Sequence, residues 1–440
     1  NCCHDGAILR NEVPGLQCDR WRSDRFRIVT LKRGVRHSKG FPVSNKSIGW
    51  SIFDPDVLMP TAVLLQSAIA SNSALFAKFC RERNVSFAPH GKTTMSPELF
   101  DIQMRDGAWG ITAATAFQAR TMIEHGVPRV LIANEVVAPG DIAWVAQATR
   151  RRSEVICCVD SLQAVRVLED GLAGLLRGRR VSVLVELGVM DGRTGARTVS
   201  EALVVARAVD KSSSLKLAGV SGFEGIISES QTQTAEQRVD KFLEEMRGLA
   251  DAMIAENLFQ GMSEILISAG GSVYFDRVAT KLVSQNSTIS ERIVIRSGCY
   301  LSHDDGVIDQ LSPYGSGSHV SGDVFRAALE VWGVVLSRPE PSRVIVGIGK
   351  RDVSTDGLLP IAKKILRRGY VQPQDWKEGT RAVRVDDQHL YLNVDASDEV
   401  EVGDLIGFGI SHPCTTFDKW RAIPIANDKY QVVAIANTKF

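Results

Sequence analysis

The segment Phe87-Ala88-Pro89-His90-Gly91-Lys92-Thr93-Thr94-Met95-Ser96-Pro97-Glu98-Leu99 joins an apolar run to the start of a helix. Val85 to Ala88 is typical of a short buried strand, and the Ser-Pro-Glu that begins four residues after Lys92 is typical of a helix N-terminus. The pattern therefore predicts that Lys92 lies at the C-terminal end of a strand, where parallel α/β folds bind ligands. A lysine desolvated there becomes a nucleophile or a base. A surface lysine capping a loop would give the same local pattern.

From Val85 onward, apolar runs alternate with segments of helical periodicity. The runs that fit buried strands are 85–89, 108–113, 129–133, 154–159, 181–186, 215–221, 264–268 and 292–296. The clearest helix between them has an apolar stripe with steps of three and four residues, formed by Val239, Phe242, Leu243, Met246, Leu249, Met253 and Ile254. Eight strand–helix units over about 230 residues predict an α/β fold of the (β/α)8 barrel type. A doubly wound open sheet is the structural alternative.

The chain divides into three parts that differ in residue composition and pattern. Residues 1–59 are mixed and basic in places, and we interpret them as an N-terminal extension that packs with the last domain. Residues 60–315 hold the predicted barrel together with a further strand at Thr61–Leu65. Residues 316–440 carry short Val- and Ile-rich runs between Gly, Asp and Pro turns, which predicts a mostly β domain. Its predicted strands are 331–336, 343–348, 381–385, 390–394, 404–408 and 431–435.

Composition excludes several classes of protein. The 440 residues are 44% hydrophobic, enough for large cores, and 52 basic residues balance 51 acidic ones. We therefore expect no nucleic-acid and no membrane partner, because the basic surface that either would need is missing. The eight cysteines are scattered along the chain and fit reduced thiols better than a disulfide framework, which predicts a cytoplasmic protein. The N-terminus has no signal-peptide pattern. The terminal Cys2-Cys3-His4 could bind a metal, although such a trio at a chain end is commonly incidental.

Polar and glycine-rich motifs follow the predicted strands. Lys92 follows the first strand, and a glycine-rich loop after the fifth carries Arg193. Gly270-Gly271-Ser272 follows the seventh, directly ahead of a predicted helix at Val273, so that backbone N–H groups could bind a phosphate. The eighth ends in Arg296-Ser297-Gly298-Cys299-Tyr300. A lysine, two arginines and a phosphate cradle at one barrel mouth predict pyridoxal 5'-phosphate bound as a Schiff base.

Each of these signals has an ordinary structural explanation when taken alone. Gly-Gly-Ser is a common βα turn, Arg193 could serve as a salt-bridge partner, and Glu224 after the sixth strand could be a solvated loop residue. The prediction depends on the convergence of the motifs at one end of the barrel.

A second cluster, Ser411-His412-Pro413-Cys414-Thr415, lies in the predicted β domain. In an extended chain, residues two apart point to the same side, so His412 and Cys414 could converge on one ion. Imidazole and thiolate are ligands that suit zinc. With only two protein ligands, water and substrate would complete the coordination shell, which predicts a catalytic site. A chance His-x-Cys pair is the alternative.

Taken in order, these motifs resemble the fold-type III pyridoxal-phosphate enzymes, within them the D-serine dehydratase and D-threonine aldolase group. The resemblance covers about residues 60 to 420 and rests on 89–98, 192–195, 270–272, 296–300 and 412–415. It implies an alanine-racemase-like barrel with a β domain, and a homodimer with active sites near the subunit boundary. The residues it assigns to the cofactor are Lys92, Arg193, Gly270, Gly271, Ser272, Arg296, Gly298 and Tyr300.

Two positions depart from the family pattern. Cys299 stands where the family commonly has a polar residue, and Ile226 stands where it often has a histidine. The loop from Leu187 to Gly195 and the chain length are most similar to a branch often labelled amino acid deaminase. The pair His412 and Cys414 matches the dehydratases of the group, whereas the aldolases carry His-x-Asp.

The resemblance implies a PLP- and divalent-metal-dependent dehydratase that converts a D-3-hydroxy amino acid, such as D-serine or D-threonine, to a 2-oxo acid and ammonia. Lys92 would hold the cofactor and move the Cα proton, and a metal ion, expected to be zinc, on His412 and Cys414 would bind the β-hydroxyl. Arg193 would contact the phenolic oxygen of the cofactor, and Arg296 its ring nitrogen. A retro-aldol lyase is the first alternative, a racemase the second, and a non-catalytic PLP-binding protein the third.

Overall fold

The computed structural model describes residues 48–284, 287–317, 322–377 and 379–440. All of them belong to one compact unit, Arg36–Phe440. The predicted N-terminal extension, apart from residues 48–59, and the Cys2-Cys3-His4 trio lie outside the described residues. Within the described ranges, no helix is both long enough and apolar enough to cross a membrane.

Strands and helices alternate along the first part of the chain. In order they are β1 (Thr61–Leu65), α1 (Gln66–Glu82), β2 (Ser86–Phe87), a 3-10 helix (Gly91–Thr93), α2 (Pro97–Arg105), β3 (Ile111–Ala113), α3 (Ala116–Glu124), β4 (Arg129–Glu135), α4 (Pro139–Arg150), β5 (Glu154–Val159), α5 (Leu162–Leu172), β6 (Val181–Leu187), α6 (Val199–Asp210), β7 (Leu215–Gly222), α7 (Ala235–Ala255), β8 (Glu264–Ala269), α8 (Phe275–Lys281), β9 (Ser290–Ile295) and α9 (Val307–Leu311).

Strands dominate the rest of the described chain. They are β10 (Leu329–Glu340), β11 (Arg343–Val346), β12 (Ile361–Leu366), β13 (Gln374–Asp375), β14 (Ala382–Val385), β15 (Leu390–Asn393), β16 (Leu405–Gly409), then helix α10 (Cys414–Phe417), β17 (Ala422–Ala426) and β18 (Val432–Asn437).

The predicted barrel is confirmed. Eight parallel strands follow the order β2-β9-β8-β7-β6-β5-β4-β3. The two ends of this order meet, because His90 and Thr112 form a parallel bridge and the Trp109 N–H donates to the Phe87 carbonyl at 2.8 Å. The open-sheet alternative is therefore wrong. Each of the eight apolar runs overlaps one strand of the barrel, since strands covered on both faces are apolar almost throughout.

Small and branched side chains fill the barrel, and helices cover it. The inner cluster consists of Ala88, Leu131, Ile156, Cys158, Leu184, Ala218, Leu266 and Val294. Outside, α7 buries the predicted stripe from Val239 to Met253 against the strands. Because the interior is packed with side chains, a ligand has room only at a mouth of the barrel.

The β domain is built on a second, ten-stranded sheet, with the strand order β13-β12-β16-β10-β1-β17-β18 along its main path. The other three strands, β11, β15 and β14, continue from the far part of β10. Strand β1 pairs antiparallel with β10 and parallel with β17. It therefore lies in this sheet, although the sequence grouped it with the barrel; its buried apolar run fits either sheet equally well.

Three strands of the β domain, β12, β13 and β17, lie outside the runs predicted from the sequence. Strand β12 carries Lys363 and Lys364 within its run, and β17 carries Pro424 in its centre, a residue that normally argues against a strand. In the structure β12 lies between β13 and β16, and β17 lies between β1 and β18. Their position in the sheet outweighs their weak local signals.

Polar contacts fix the barrel against the β domain. The carboxylate of Glu98, in the predicted Ser-Pro-Glu helix start, accepts hydrogen bonds from the backbone N–H of Asn437 at 3.0 Å and from its side-chain amide at 2.7 Å. On α1, the fully buried Asn72 donates to the carbonyls of Leu301 and Arg326 at 3.0 and 2.7 Å and accepts from the Arg326 N–H at 2.8 Å. These contacts hold the mouth of the barrel against the β domain.

Candidate active site

A cavity of about 660 Å³ lies between the C-terminal ends of the barrel strands and the β domain. Side chains from both parts of the unit line it, including Asn134 and Phe223 from the barrel and Asp356 from the β domain. The cavity brings together nearly all of the predicted site residues: Lys92, Arg193, Gly270, Gly271, Ser272, Arg296, Gly298, His412 and Cys414.

Lys92 lies on the 3-10 helix that follows β2, and its side chain is exposed and lines the cavity. The residue before it must be small, because a Cβ on Gly91 would lie 2.6 Å from the methyl carbon of Met122. His90 also lines the cavity, and burial, followed by the positive charges of Lys92, Arg296 and Arg193, lowers its pKa well below the usual value. A neutral imidazole therefore accompanies the lysine.

Two arginines supply positive charge to the cavity. Arg296 is buried, and its guanidinium donates to the Ser221 hydroxyl at 2.7 Å, to Ser268, and to the Gly222 carbonyl. Arg193 is exposed, with its guanidinium 4.3 Å from the centre of the Phe223 ring. The first is fixed by hydrogen bonds and the second by a cation–π contact, so both charges are held in place before a ligand arrives.

The glycine turn after β8 differs from the sequence prediction. The following helix starts at Phe275 rather than Val273, and the N–H groups of Gly270 and Gly271 donate to the Glu224 carboxylate at 3.0 and 2.7 Å. Glu224 is fully buried, so the interpretation of it as a solvated loop residue is wrong. A carboxylate therefore occupies two of the three N–H groups that the sequence assigned to a phosphate.

The backbone N–H groups that remain available belong to the next two residues of the same turn. Within the described part of the chain, the N–H groups of Ser272 and Val273 have no hydrogen-bond partner, while the Ser272 hydroxyl accepts from the Cys299 N–H at 3.3 Å. Gly298 approaches the start of the 3-10 helix closely, because a Cβ there would be 2.7 Å from the His90 carbonyl oxygen. Of the predicted turn, Ser272 is thus the residue whose N–H group is available to an anion.

The side chain of Tyr300 does not line the cavity. It is 2% exposed and stacks on Phe76, with ring centres 4.2 Å apart, in an aromatic cluster that includes Phe325. The family resemblance of the motif 296–300 assigned it to the cofactor. The turn after β9 sends it instead into the apolar core between α1 and the barrel, where aromatic packing stabilises it.

His412 and Cys414 both line the cavity, but by a different local geometry from the predicted extended chain. His412 has a left-handed backbone with φ of 56°, and its N–H donates to the buried Asp304 carboxylate at 3.1 Å. Cys414 is the first residue of the short helix α10. The His412 Nδ1 lies 3.2 Å from an Asp356 oxygen. Hydrogen bonding to Cys414 raises the pKa of His412, so the two side chains interact.

A second sulfur lies at this point. The Sγ atoms of Cys299 and Cys414 are 3.5 Å apart, and the Thr93 hydroxyl lies 3.4 Å from Cys414 Sγ. Hydrogen bonding to Cys299, together with hydrogen bonds to His412 and Thr93, holds the pKa of the Cys414 thiol well below its usual value. Cys414 thus gives up its proton more readily than an ordinary thiol and lies beside an imidazole; sulfur and imidazole are donors that suit a zinc-like ion. Among the described residues, no group of three or more His, Cys, Asp or Glu side chains could hold a metal ion.

Sequence reasoning missed the acidic residues of the site. Glu186, on β6, lines the cavity and is 6% exposed, and its Oε2 has no hydrogen-bond partner in the described chain. Burial and then the Glu186 charge raise the pKa of the neighbouring Glu135 to about 8. An acidic residue inside an apolar strand run was the available signal for Glu186, because such a residue is rarely buried without a role.

The residues present fit a phosphorylated aldehyde cofactor. The Lys92 amine, the two guanidinium groups and the turn at Ser272 line one cavity. Lys92 would carry the aldehyde, the turn at Ser272 and Val273 would hold the phosphate, and Arg296 and Arg193 would lie against the rest of the group.

Comparison with known proteins agrees with this architecture. Residues 65–275 match the model of the alanine racemase N-terminal domain, and residues 328–426 match the model of the putative serine dehydratase domain. The chain is 23% identical to the 3-hydroxy-D-aspartate aldolase of Paracoccus denitrificans (strain Pd 1222) over 311 residues, which are 70% of this chain and 76% of that protein.

Solved structures show the same fold. D-threonine aldolase from Filomicrobium marinum superimposes with a TM-score of 0.72 at 22% identity, covering 87% of this chain and 95% of that one. D-threo-3-hydroxyaspartate dehydratase from Delftia sp. HT23 gives a TM-score of 0.66 at 19% identity, covering 87% and 97%. Both parts of this chain, barrel and β domain, therefore have counterparts in the same proteins.

Proposed function

Because the chain belongs to the fold-type III pyridoxal-phosphate enzymes of the D-serine dehydratase and D-threonine aldolase group, we propose that it is a PLP- and divalent-metal-dependent lyase. Its substrate is a D-3-hydroxy amino acid such as D-serine or D-threonine, and its products are a 2-oxo acid and ammonia. The names of its relatives support a D-amino acid with a hydroxyl on Cβ.

One observation carries the proposal: Lys92, on the barrel, and the pair His412 and Cys414, on the β domain, line the same cavity. A lysine amine is suited to hold an aldehyde and to exchange a proton with a carbon acid. A thiolate and an imidazole are suited to hold a divalent ion. A site that has both can act on Cα and on the Cβ hydroxyl of one small amino acid.

Several residues that line the cavity have separate roles in the proposed reaction. When bound, PLP supplies an electron sink for negative charge that develops at Cα. Lys92 takes the proton from Cα, since its side chain is exposed in the cavity, while the neutral His90 beside it adds no competing positive charge. Arg296 stays charged in its hydrogen-bonded position and is a donor only, so it would leave a neighbouring ring nitrogen unprotonated. Arg193, on the loop after β6, would orient the phenolic oxygen.

The metal pair acts on the leaving group. When bound, a divalent ion, which we propose to be zinc, supplies a Lewis acid for the β-hydroxyl. Asp304 and Asp356 support this pair: the first accepts from the His412 N–H, and the second contacts the His412 Nδ1. His412 is thus fixed through its backbone and its ring, as metal-binding histidines usually are.

A retro-aldol lyase is the second candidate, because a relative named as an aldolase matches 70% of this chain and a solved aldolase structure shares its fold over 87% of it. It would use the same cavity and give glycine and an aldehyde. Cys414 favours the dehydratase, since the aldolases of the group carry an aspartate at that place.

A product assay tests the proposal. Purified protein with PLP and zinc is offered D-serine, D-threonine, D-threo-3-hydroxyaspartate and their L-forms, and the products are identified. We expect 2-oxo acid and ammonia in equal amounts from D-forms only. Cys414→Ala should lower kcat/KM by about a hundredfold or more, because the Lewis acid is lost. Cys80→Ala, at a buried thiol away from the cavity, is the control.

Glycine and aldehyde as products would replace the dehydratase with the aldolase, and turnover that is unaffected in Cys414→Ala would refute the metal assignment. We propose in addition that the protein is a cytoplasmic homodimer. Sedimentation analysis of the purified chain is the direct measurement of the subunit number.

A further inference from the structure

Two cysteines that are 115 positions apart in the chain meet in the cavity. Cys299 follows β9 at the end of the barrel, Cys414 starts α10 in the β domain, and their Sγ atoms are 3.5 Å apart. Both line the cavity, and the Thr93 hydroxyl lies within 3.9 Å of each sulfur. The fold therefore produces a dithiol at the junction of its two parts.

The two sulfurs are already at van der Waals contact. A disulfide bond is about 2.05 Å long, so bond formation requires the sulfurs to approach by roughly 1.5 Å. Cys299 lies in the turn after a strand and Cys414 at the first position of a four-residue helix. Neither sits inside a long regular element, so side-chain rotation and a small loop adjustment can supply this approach.

The remaining cysteines of the described chain cannot form such a pair. Cys80, Cys157 and Cys158 are buried and do not line the cavity. Cys157 and Cys158 are neighbours on β5, and successive side chains of a strand point to opposite faces. A small oxidant that enters the cavity therefore reaches Cys414 and Cys299 and no other described thiol.

We propose that Cys299 and Cys414 form a modification site that a hydroperoxide oxidises to a disulfide, reversibly withdrawing Cys414 from the metal pair. The consequence for metal binding rests on the proposed function, whereas the disulfide itself does not. The position of Cys299 matters here, because a Thr or Asn, as is common there in the family, offers no second sulfur.

The chemistry balances with a hydroperoxide as the oxidant. The Cys414 sulfur attacks one peroxide oxygen, the O–O bond breaks, and the other oxygen leaves, giving a sulfenic acid. The Cys299 sulfur then attacks the Cys414 sulfur, the S–O bond breaks, and hydroxide leaves as the S–S bond forms. The two thiol protons end on the two departing oxygens. The two thiols lose two electrons in total, and the peroxide takes them up.

Peptide mapping of the PLP-loaded full-length protein tests the proposal. The protein is treated with a small excess of hydrogen peroxide, alkylated and digested without reductant. We expect a cross-linked peptide joining the segments that contain Cys299 and Cys414, and its disappearance after dithiothreitol. Mapping is the readout, because the chain has eight cysteines and a thiol count alone would not locate the bond.

Variants make the result specific. Cys299→Ser should abolish the cross-link and leave Cys414 to overoxidise to a sulfinic acid, which dithiothreitol does not reverse. Cys80→Ala should retain the cross-link. If the wild-type protein gives sulfinic acids at both positions and no cross-linked peptide, the proposal is wrong.

The same experiment with and without zinc distinguishes a failure of this proposal from a failure of the proposed function. Zinc held by Cys414 should slow the appearance of the cross-link at least tenfold relative to chelated protein. A cross-link that forms equally fast with and without zinc would remove Cys414 from the metal site while leaving the dithiol proposal intact.

Discussion

At the scale of single residues, Glu135 and Glu186 form an acidic pair beside the cavity. Both oxygens of Glu135 and one of Glu186 are buried with no donor among the described groups. Two carboxylates cannot both be charged in such a place, and one shared proton removes the conflict. Burial, then the Glu186 charge and that of Asp160, raise the pKa of Glu135 to about 8, so Glu135 carries this proton at neutral pH.

The pair predicts a pH dependence of stability with a definite sign. The pKa of Glu135 is higher in the folded protein than the ordinary 4.5, so the folded state binds the extra proton. The resulting stabilisation is complete below pH 4.5 and is lost as pH rises toward 8. Glu135→Gln imitates the protonated form and should keep its stability over this range.

Urea unfolding at pH 5 and pH 8 measures the effect. Between these values the wild type should lose more free energy of unfolding than Glu135→Gln, by on the order of 1 kcal/mol or more. Glu124→Gln, an exposed carboxylate in a surface pair with Arg120, should follow the wild type. Parallel curves for wild type and Glu135→Gln would mean that Glu135 is ionised in the folded protein.

At the scale of elements, the turn after β9 packs closely against the 3-10 helix that carries Lys92. It passes so close to the 3-10 helix of Lys92 that Gly298 has no room for a side chain: a Cβ would lie 2.7 Å from both the His90 carbonyl oxygen and the Thr93 hydroxyl oxygen. The turn and the lysine helix therefore keep a fixed separation, which also sets the distance between Cys299 and Thr93.

Gly298→Ala should push these two elements apart. Such overpacking costs about 1–3 kcal/mol, and we expect the affinity for PLP to fall by roughly 5- to 150-fold. Titration of the apoprotein with PLP, followed by absorbance, gives the dissociation constant. Unchanged affinity would contradict the role of this close approach.

Gly248→Ala is the matched control. Gly248 is exposed within α7, and a Cβ there would meet no atom within 4 Å. Because alanine favours a helix over glycine, this change should raise the free energy of unfolding by about 0.5–1 kcal/mol and leave PLP binding unchanged.

At the scale of the whole molecule, the site exists only because the barrel and the β domain are held together. Asn72 is a fully buried polar residue between them and satisfies three backbone groups at once. Its side chain joins α1 to the segment that leads from the barrel into β10. Removing it leaves those groups without partners in a dry interior.

Asn72→Ala should therefore destabilise the protein by about 2–4 kcal/mol, since unsatisfied buried groups cost more than the bonds themselves contribute. Asn393→Ala, at an exposed strand end, should change stability by less than about 0.5 kcal/mol. Denaturant unfolding followed by tryptophan fluorescence compares the two. Equal effects would show that Asn72 does not connect the two parts.

The sequence predicts the barrel well because its strands are buried on both faces and separated by helices. It also predicts which residues meet at the cavity, since Lys92, Arg193 and Arg296 all follow parallel strands whose ends share one mouth. The sequence does not predict that β1 belongs to the sheet of the β domain, because an apolar run does not reveal which sheet it joins.

The details of the site depend on contacts between residues far apart in the chain. The Glu224 carboxylate accepts hydrogen bonds from the N–H groups of Gly270 and Gly271, which are 46 and 47 positions further along the chain. No residue close to the glycines in the sequence indicates this contact. The left-handed backbone at His412 likewise depends on Asp304, 108 positions away. Local spacing carries no information on such pairs.

The most direct test of the central claim is to locate the cofactor on the chain. Sodium borohydride reduces the C=N bond between a lysine and PLP, and peptide mapping then identifies the modified lysine. We expect one modified peptide, containing Lys92, with no labelling in Lys92→Ala and normal labelling in Lys78→Ala, a change at an exposed lysine on α1. Modification at another lysine, or label that persists in Lys92→Ala, would contradict it.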